Sequence, residues 1–225
     1  MDESDISTVV TDADPVAYAA LVTGQNALLQ SQVDKLTLEL ASLEDERNHY
    51  KRLAQQDELT GLFNKRYFDA HLDREIALSH INGSPLSLAF LDINDFKRFN
   101  TVYGHDGGDE VIRQVADYVG GEVQDYGLVA RLHGDEFALA LPSFAEFAAV
   151  NLCRGLRAGV ENLKIVYDKQ VISTTATFGV KQLEHGEDRR ELFIGANKAF
   201  YRGQDLGKNC VVEYSSLGLC RNAIR

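Results

Sequence analysis

The sequence predicts an α/β protein of the α+β type: helices surround a central, mainly antiparallel sheet, and a long N-terminal helix comes first. Three observations predict this fold. The apolar run Leu86–Ile93 is typical of a buried central strand. Apolar stretches flank a glycine turn in residues 128–141, which indicates a β-hairpin. From Val22 onward, apolar residues recur at the heptad spacing of a coiled-coil helix.

Residues 1–56 form two predicted segments ahead of the main domain. Residues 1–19 are acidic and contain few large apolar side chains, so we expect a mobile tail. Residues 20–56 carry the heptad pattern, with positions a at Asn26, Val33, Leu40, Arg47 and Ala54 and positions d at Val22, Leu29, Leu36, Leu43 and Tyr50. The narrow seam favours a parallel homodimer through this helix. The alternative is one amphipathic helix that packs on its own domain.

The rest of the chain alternates predicted helices and strands. Helices are expected at residues 65–80, 95–102, 108–118, 143–163 and 189–206, and strands at residues 86–93, in both arms of the 128–141 hairpin, and at 171–180 and 210–214. This order resembles βαββαβ with additions, which implies a mainly antiparallel sheet. We expect one domain at residues 57–214 and a C-terminal tail at residues 215–225.

Composition excludes several classes of partner. The 225 residues include 34 Asp and Glu against 23 Lys and Arg, a net charge of −11. A nucleic-acid polymer is therefore disfavoured, because a duplex requires a basic face. The three cysteines show no CxxC spacing, as expected for a reduced compartment. The sequence has no apolar run of membrane-spanning length, and its acidic N-terminus is unlike a signal peptide, so we expect a cytoplasmic protein without membrane association.

Carboxylates lie at two predicted strand ends. Asp92 is near the end of the buried strand, and Asp135 and Glu136 follow Gly134 at the tip of the hairpin. An acid in an apolar strand costs free energy unless a cation or a donor meets it. If the two strands are neighbours, Asp92 and Asp135 can share metal ions, because paired carboxylates bind hard divalent cations. The alternatives are a buried salt bridge at Asp92 and an ordinary solvated turn at Asp135. The DINDF segment lacks the further ligands and the glycine of an EF-hand loop, so we do not expect a calcium-sensing site there.

Five motifs occur in an order that resembles the GGDEF family of diguanylate cyclases. They are DELTGLFNKRYF at residues 57–68, FLDINDFKRFNTVYGHDGGDEVI at 90–112, RLHGDEF at 131–137, TTATFGV at 174–180 and ANKAFYRGQDLGKN at 196–209. The resemblance covers residues 57–214. It implies the GGDEF fold and the condensation of two GTP molecules into cyclic di-GMP with release of two pyrophosphates.

The resemblance also implies a metal site and a catalytic site. Asp92 and Asp135 match the side-chain ligands, and Ile93 matches a backbone carbonyl ligand, of two Mg²⁺ (or Mn²⁺) ions per GTP. Glu136 matches the residue that assists deprotonation of the attacking ribose 3′-hydroxyl. The catalytic residues implied are thus Asp135, through the metal, and Glu136.

A nucleotide site follows from the same resemblance. Asn100 and Asp109 match the residues that bind guanine, whose N1 hydrogen and N2 amine a carboxylate can accept together. The alternative, without the family resemblance, is that Asn100 only caps a helix and that Asp109 only begins one, where its charge interacts favourably with the helix dipole. The positions that match phosphate contacts are Phe96, Lys97, His133, Gly134 and Lys208, the last of which replaces a usual arginine.

Several positions depart from the family pattern. His133 replaces the first glycine of the signature, where a side chain can obstruct phosphate or, when protonated, donate to it. Gln204 replaces a phosphate-binding lysine, and Thr101 replaces a frequent aspartate. Residues 124–127 lack the arginine and the final aspartate of the RxxD inhibitory motif, so we expect no inhibitory site there.

The sequence therefore predicts a homodimeric, Mg²⁺-dependent diguanylate cyclase, active but slow, with GTP and a second copy of the chain as partners. The alternative is a degenerate GGDEF domain that binds GTP or cyclic di-GMP as a regulatory module without catalysis. A structural dimeriser is a third and weaker hypothesis.

Overall fold

The computed structural model describes residues 15–219, which divide into two compact units at residues 52 and 53. The first unit holds most of helix α1, Pro15–Gln55. This helix begins inside the segment 1–19 that was expected to be a tail, and residues 1–14 and 220–225 lie outside the described residues. No helix among residues 15–219 is long and apolar enough to cross a membrane.

The second unit is built on a six-stranded sheet with the order β1-β3-β4-β2-β7-β8. The strands of the unit are β1 Phe63–Asn64, β2 Leu86–Ile93, β3 Leu128–His133, β4 Glu136–Pro142, β5 Ile165–Tyr167, β6 Gln170–Ile172, β7 Ala176–Gln182 and β8 Val211–Glu213. Strands β5 and β6 form a separate hairpin. In the six-stranded sheet β1 pairs with β3 and β7 with β8 in parallel, and the other pairs are antiparallel. The predicted mainly antiparallel sheet is confirmed.

Helices cover both faces of this sheet. They are α2 Lys65–Asn82, α3 Phe96–Val123, α4 Glu146–Asn162, α5 Arg189–Asp205 and the short α6 Ser216–Leu219. Alternate residues of β2 point to opposite faces: Leu91 joins the core with α3 and α4, and Phe90 joins the core with α2 and α5. Burial on both faces explains why β2 is a continuous apolar run.

Three predicted elements differ from the structure. Residues 103–107, between the helices predicted at 95–102 and 108–118, are themselves helical except for a break at Gly104, which has φ 73° and ψ 178°. The helix predicted at residues 143–163 begins only at Glu146, because Ser143 takes a left-handed turn with φ 64°. The strand predicted at residues 171–180 is interrupted at residues 173–175, where the backbone bonds to Asn94 after the end of β2 instead of continuing one strand.

Candidate functional site

The predicted metal acids meet at one end of the central strands. Asp92 on β2 lies opposite Glu136 on β4 and opposite Thr177 on β7. Asp135 precedes Glu136 in the turn between β3 and β4, and its carbonyl accepts a hydrogen bond of 3.4 Å from the Ile93 N–H. The antiparallel pairing of β2 with β4 thus brings together carboxylates more than forty residues apart in sequence.

The residues around Asp92 and Asp135 do not supply enough positive charge to offset the burial of these two carboxylates. Burial, followed by the Asp135 and Glu136 carboxylates, raises the pKa of Asp92 from 3.8 to about 7, although Lys208 and a hydrogen bond from Gln204 oppose the rise. Burial also raises the pKa of Asp135, against the opposing charges of His133 and Arg131. A cation bound between the two acids would reverse this penalty.

The donor set suits Mg²⁺ or Mn²⁺. Asp92 and Asp135 could supply two carboxylates, and Ile93 a backbone carbonyl, as the sequence resemblance predicts. Within residues 15–219 no group of three or more His, Cys, Asp or Glu side chains could hold a metal ion. Mg²⁺ is commonly bound by one or two carboxylates and completes its coordination with water and substrate phosphates. The residues therefore fit an ion that a nucleotide helps to hold.

The signature turn tolerates its histidine. Gly134 takes the left-handed turn conformation with φ 54°. His133, the last residue of strand β3, does not have a positive φ. A side chain at residue 133 therefore brings no backbone strain. Its imidazole is 70% exposed, and Nε2 lies 3.3 Å from Oε2 of Glu136.

The same turn is tied to the start of the domain. Arg131 donates from Nε to the Gly134 carbonyl at 2.8 Å and from Nη1 to Oδ1 of Asp57 at 3.0 Å. Asp57 also accepts from the N–H and the hydroxyl of Thr60. The sequence analysis missed this link, although both residues lie in motifs that it identified.

The predicted guanine residues lie on two helical segments that meet at the Gly104 break. Gly108 packs against the first segment so closely that a β-carbon at residue 108 would overlap Oδ1 of Asn100 and lie 3.1 Å from Cζ of Phe96. Asp109 follows directly and is partly exposed. The two segments thus meet where Asn100 lies beside residue 108.

Three of the predicted phosphate residues, Phe96, Lys97 and Lys208, lie at the start of α3. Asp95 is the N-cap of α3, but it has φ 57° and its side chain makes no capping hydrogen bond. The N–H groups of Phe96 and Lys97 belong to the first turn, where backbone donors face outward and favour anions. Lys208 reaches this point from the α5–β8 loop, with Nζ 2.6 Å from Oδ1 of Asp95.

Comparison with known proteins assigns the family. Residues 54–210 match the family described as diguanylate cyclase, GGDEF domain. The chain belongs to the GGDEF family. Its GGDEF signature is HGDEF at residues 133–137.

Individual GGDEF proteins agree with this assignment. The chain is 33% identical over 187 residues to the diguanylate cyclase VdcA of Vibrio cholerae, covering 82% of this chain and 54% of VdcA. It is 29% identical to the diguanylate cyclase DgcP of Pseudomonas aeruginosa, covering 84% of this chain and 28% of DgcP. The chain thus spans about half or less of the length of these relatives.

A solved GGDEF structure has the same architecture. The coiled coil and GGDEF domain of DgcB from Caulobacter crescentus, in complex with c-di-GMP, matches with a TM-score of 0.75 at 30% identity. The match covers 82% of this chain and 98% of that chain. Both chains therefore combine an N-terminal helix with a GGDEF domain.

Proposed function

We propose that this protein is a diguanylate cyclase, which condenses two GTP molecules into cyclic di-GMP and releases two pyrophosphates. The convergence of Asp92, Asp135 and Glu136 at one end of strands β2 and β4 is the observation that carries the proposal. Relatives named as diguanylate cyclases support the same reaction. In each step a ribose 3′-oxygen bonds to the α-phosphorus of the other GTP, and the bond to pyrophosphate breaks.

The residues of the site divide this work. Asp92, Asp135 and the Ile93 carbonyl would hold two Mg²⁺ or Mn²⁺ ions per GTP, which neutralise phosphate charge and polarise the α-phosphorus. Glu136 lies beside them and accepts the proton of the 3′-hydroxyl. The Phe96 and Lys97 N–H groups and Lys208 bind phosphate oxygens, while Gly134 leaves the turn open to them.

Base selection belongs to Asn100 and Asp109. Gly108 packs against Asn100, and Asp109 follows Gly108 directly in the chain, so we expect one base edge to contact both side chains. A carboxylate accepts the N1–H and N2 amine of guanine together, whereas adenine presents an acceptor at N1 and no N2 amine. ATP would therefore leave the Asp109 charge without a partner, which is a strong basis for rejection.

The reaction requires two domains that face each other, and helix α1 supplies a means of pairing them. Seam positions Leu29, Leu36 and Leu43 are 56%, 59% and 57% exposed in the single chain. An isolated helix of this kind is marginally stable without a partner for its apolar residues. A parallel dimer through α1 would bury the seam and raise the effective concentration of the second domain.

The direct test is incubation of the full chain with GTP and Mg²⁺, with products separated and identified by mass. We expect cyclic di-GMP from the native protein and none from Asp135→Ala, because removing one carboxylate destroys the metal site. The Asp135→Ala protein should keep the native mass in solution, since the substitution lies far from α1 in sequence. Absence of product from native protein at high concentration, with the fold intact, contradicts the proposal.

A second candidate function is a GTP-binding regulatory module without catalysis. The observation that favours it is the 3.3 Å contact of His133 with Glu136. In this contact the imidazole is paired with the carboxylate that is proposed as the general base. If this contact only slows catalysis, His133→Ala and His133→Gly should both raise the rate about two- to fivefold, the size expected for one exposed contact between polar side chains. The two variants should agree, because residue 133 has no left-handed backbone that requires glycine. GTP binding without product in all three proteins would instead establish the regulatory module.

A further inference from the structure

The contact between Asp95 and Lys208 joins the two loops that would enclose the phosphates. Asp95 lies between β2 and α3, and Lys208 lies 113 residues later between α5 and β8. Their side chains meet at 2.6 Å and are 64% and 38% exposed, respectively. The Asp95 carboxylate is thus already paired with the Lys208 ammonium group, which the proposed function assigns to the phosphates of GTP.

The backbone of Lys208 does not depend on Asp95 for its position. Its backbone N–H donates to the Gly203 carbonyl at 3.0 Å. The next residue, Asn209, donates its N–H to Thr177 and accepts from Arg157 at 2.9 Å. These bonds hold Lys208 and Asn209 in left-handed backbone conformations, with φ 65° and 47°. The loop is therefore fixed by the backbone of Lys208 and by Asn209, and the Asp95 carboxylate contacts only the end of the lysine side chain.

Asp95 has no other evident role in the fold. An aspartate at a helix N-cap normally accepts from the first turn, yet Asp95 makes no such bond. An exposed ion pair contributes little to stability. What remains is the charge itself: a carboxylate beside the open N–H groups of Phe96 and Lys97 opposes the entry of an anion.

We propose that Asp95 competes with the substrate phosphates for Lys208 and so lowers the affinity of the site for GTP. The inference rests on the proposed function, because it assumes that phosphates bind at Lys208. In the free protein Lys208 is paired with Asp95; in the complex its ammonium group turns to the phosphate, and Asp95 loses its partner. The cost of breaking the pair is subtracted from the affinity for GTP.

The test measures binding without turnover. The probe is 3′-deoxyguanosine triphosphate with Mg²⁺, which lacks the attacking hydroxyl, titrated calorimetrically into the full chain. Asp95→Asn removes the charge and keeps the backbone conformation, because asparagine also accepts left-handed φ. We expect Asp95→Asn to bind about two- to fivefold more tightly than the native protein, with the difference shrinking at high salt. Asp125→Asn, which makes the same charge change in the turn before β3, should bind like the native protein.

A second comparison distinguishes competition for Lys208 from simple repulsion between Asp95 and the phosphates. If Asp95 competes for Lys208, the gain from Asp95→Asn should be clearly smaller in a Lys208→Ala background. Equal gains in both backgrounds, or native affinity in Asp95→Asn, would overturn the inference and leave the cyclase proposal standing. Weaker binding by Asp95→Asn would also overturn it, because Asp95 would then position Lys208 for the substrate. Absence of binding by every protein would overturn both proposals.

Discussion

At the scale of single residues, Asp57 connects the start of the domain to the signature turn. Its carboxylate accepts from Arg131 on β3 and from Thr60 in its own turn. Burial alone would raise the pKa of Asp57, but these hydrogen bonds and the Arg131 charge lower it below 3.8. Because Arg131 also holds the Gly134 carbonyl, the ion pair supports the turn that carries Asp135.

The lowered pKa of Asp57 predicts a pH dependence of stability. A group whose pKa is lower in the folded state stabilises the fold at pH values above its unfolded pKa, near 3.8, and this contribution is lost as the pH falls through the folded pKa. We expect Asp57→Asn to lower the free energy of unfolding by about 1 kcal/mol at pH 7, because the pair is partly exposed. The difference from the native protein should shrink below about pH 4.

Denaturant titrations of both proteins between pH 3 and pH 7 measure this effect. Asparagine retains an acceptor for Thr60, so the comparison isolates the charge. A difference that stays constant across the pH range would show that Asp57 acts through hydrogen-bond geometry instead of its charge.

Asp109 carries the prediction on base choice. Asp109→Ser should weaken GTP use and relax the rejection of ATP, because a hydroxyl can either donate or accept. The expected loss with GTP is about 2 kcal/mol in the transition state, as for a charge-assisted hydrogen bond removed. Initial rates with each nucleotide measure the change in preference. Unaltered kinetics with both nucleotides would leave Asp109 as a helix-start residue only.

The motifs supplied the candidate acids and the candidate guanine residues, but they did not predict every contact of the candidate site. The apolar run and the glycine turn were sufficient to place Asp92 and Asp135 at strand ends, because both signals are local. The ion pairs of Asp57 with Arg131 and Asp95 with Lys208 span 74 and 113 residues. Such pairs depend on strand order and loop path, which no local pattern encodes.

At the scale of elements, the broken helix α3 determines the shape of the proposed nucleotide site. Gly104 takes a backbone conformation with positive φ that side chains rarely adopt. The chain then re-enters the helix at an angle that packs Gly108 against Asn100 and Phe96. The glycines at 104 and 108 therefore serve different purposes: one permits the break, and the other permits the close approach.

This packing predicts opposite effects for two alanine substitutions in one helix. Gly108→Ala should destabilise the domain by about 1–3 kcal/mol, because the new methyl group overlaps Asn100. It should also weaken GTP binding by displacing the Asn100 side chain. Gly121→Ala, where a β-carbon meets nothing within 4 Å, should stabilise the domain by about 0.5–1 kcal/mol. Thermal unfolding and nucleotide titration measure both; equal stability of the two variants would contradict the packing.

Elements with local signals were predicted better than elements made by tertiary contacts. Strand β2 and the β3–β4 hairpin were correctly predicted because apolar runs and a glycine turn define them. The strand predicted at residues 171–180 was wrong, because its first part pairs with β5 in the separate hairpin and its second part pairs with β2 in the main sheet. Strand β1 has only two residues and depends on parallel pairing with β3, so no periodicity could reveal it.

At the scale of the whole molecule, the chain combines two units with different sources of stability. The unit from residue 53 onward has a core on each face of its sheet. The unit before it contains helix residues whose apolar side chains remain exposed, including Leu29, Leu36 and Leu43. We therefore expect the first unit to be stabilised by a partner and the second to fold alone.

This division predicts the effect of removing the helix. Deletion of residues 1–50 should leave a folded monomer, because the sheet and its two cores lie beyond the deletion. Cyclic di-GMP synthesis should fall sharply at low protein concentration and recover as concentration rises, since the domains must then meet by diffusion. Light scattering and activity over a dilution series measure both. Unchanged mass after deletion would show that another surface holds the dimer.

A pair of single substitutions tests the seam without shortening the chain. Leu36 occupies a predicted d position, and Leu38 lies two residues further, outside the seam, with 74% of its surface exposed. Leu36→Asp places a charge in the interface and should give monomers and the concentration-dependent activity of the deletion. Leu38→Asp makes the same chemical change on the outer face and should remain a dimer with native activity. If both substitutions dissociate the protein, α1 holds the dimer but the heptad assignment is wrong; if neither does, the two GGDEF domains meet through a different part of the chain.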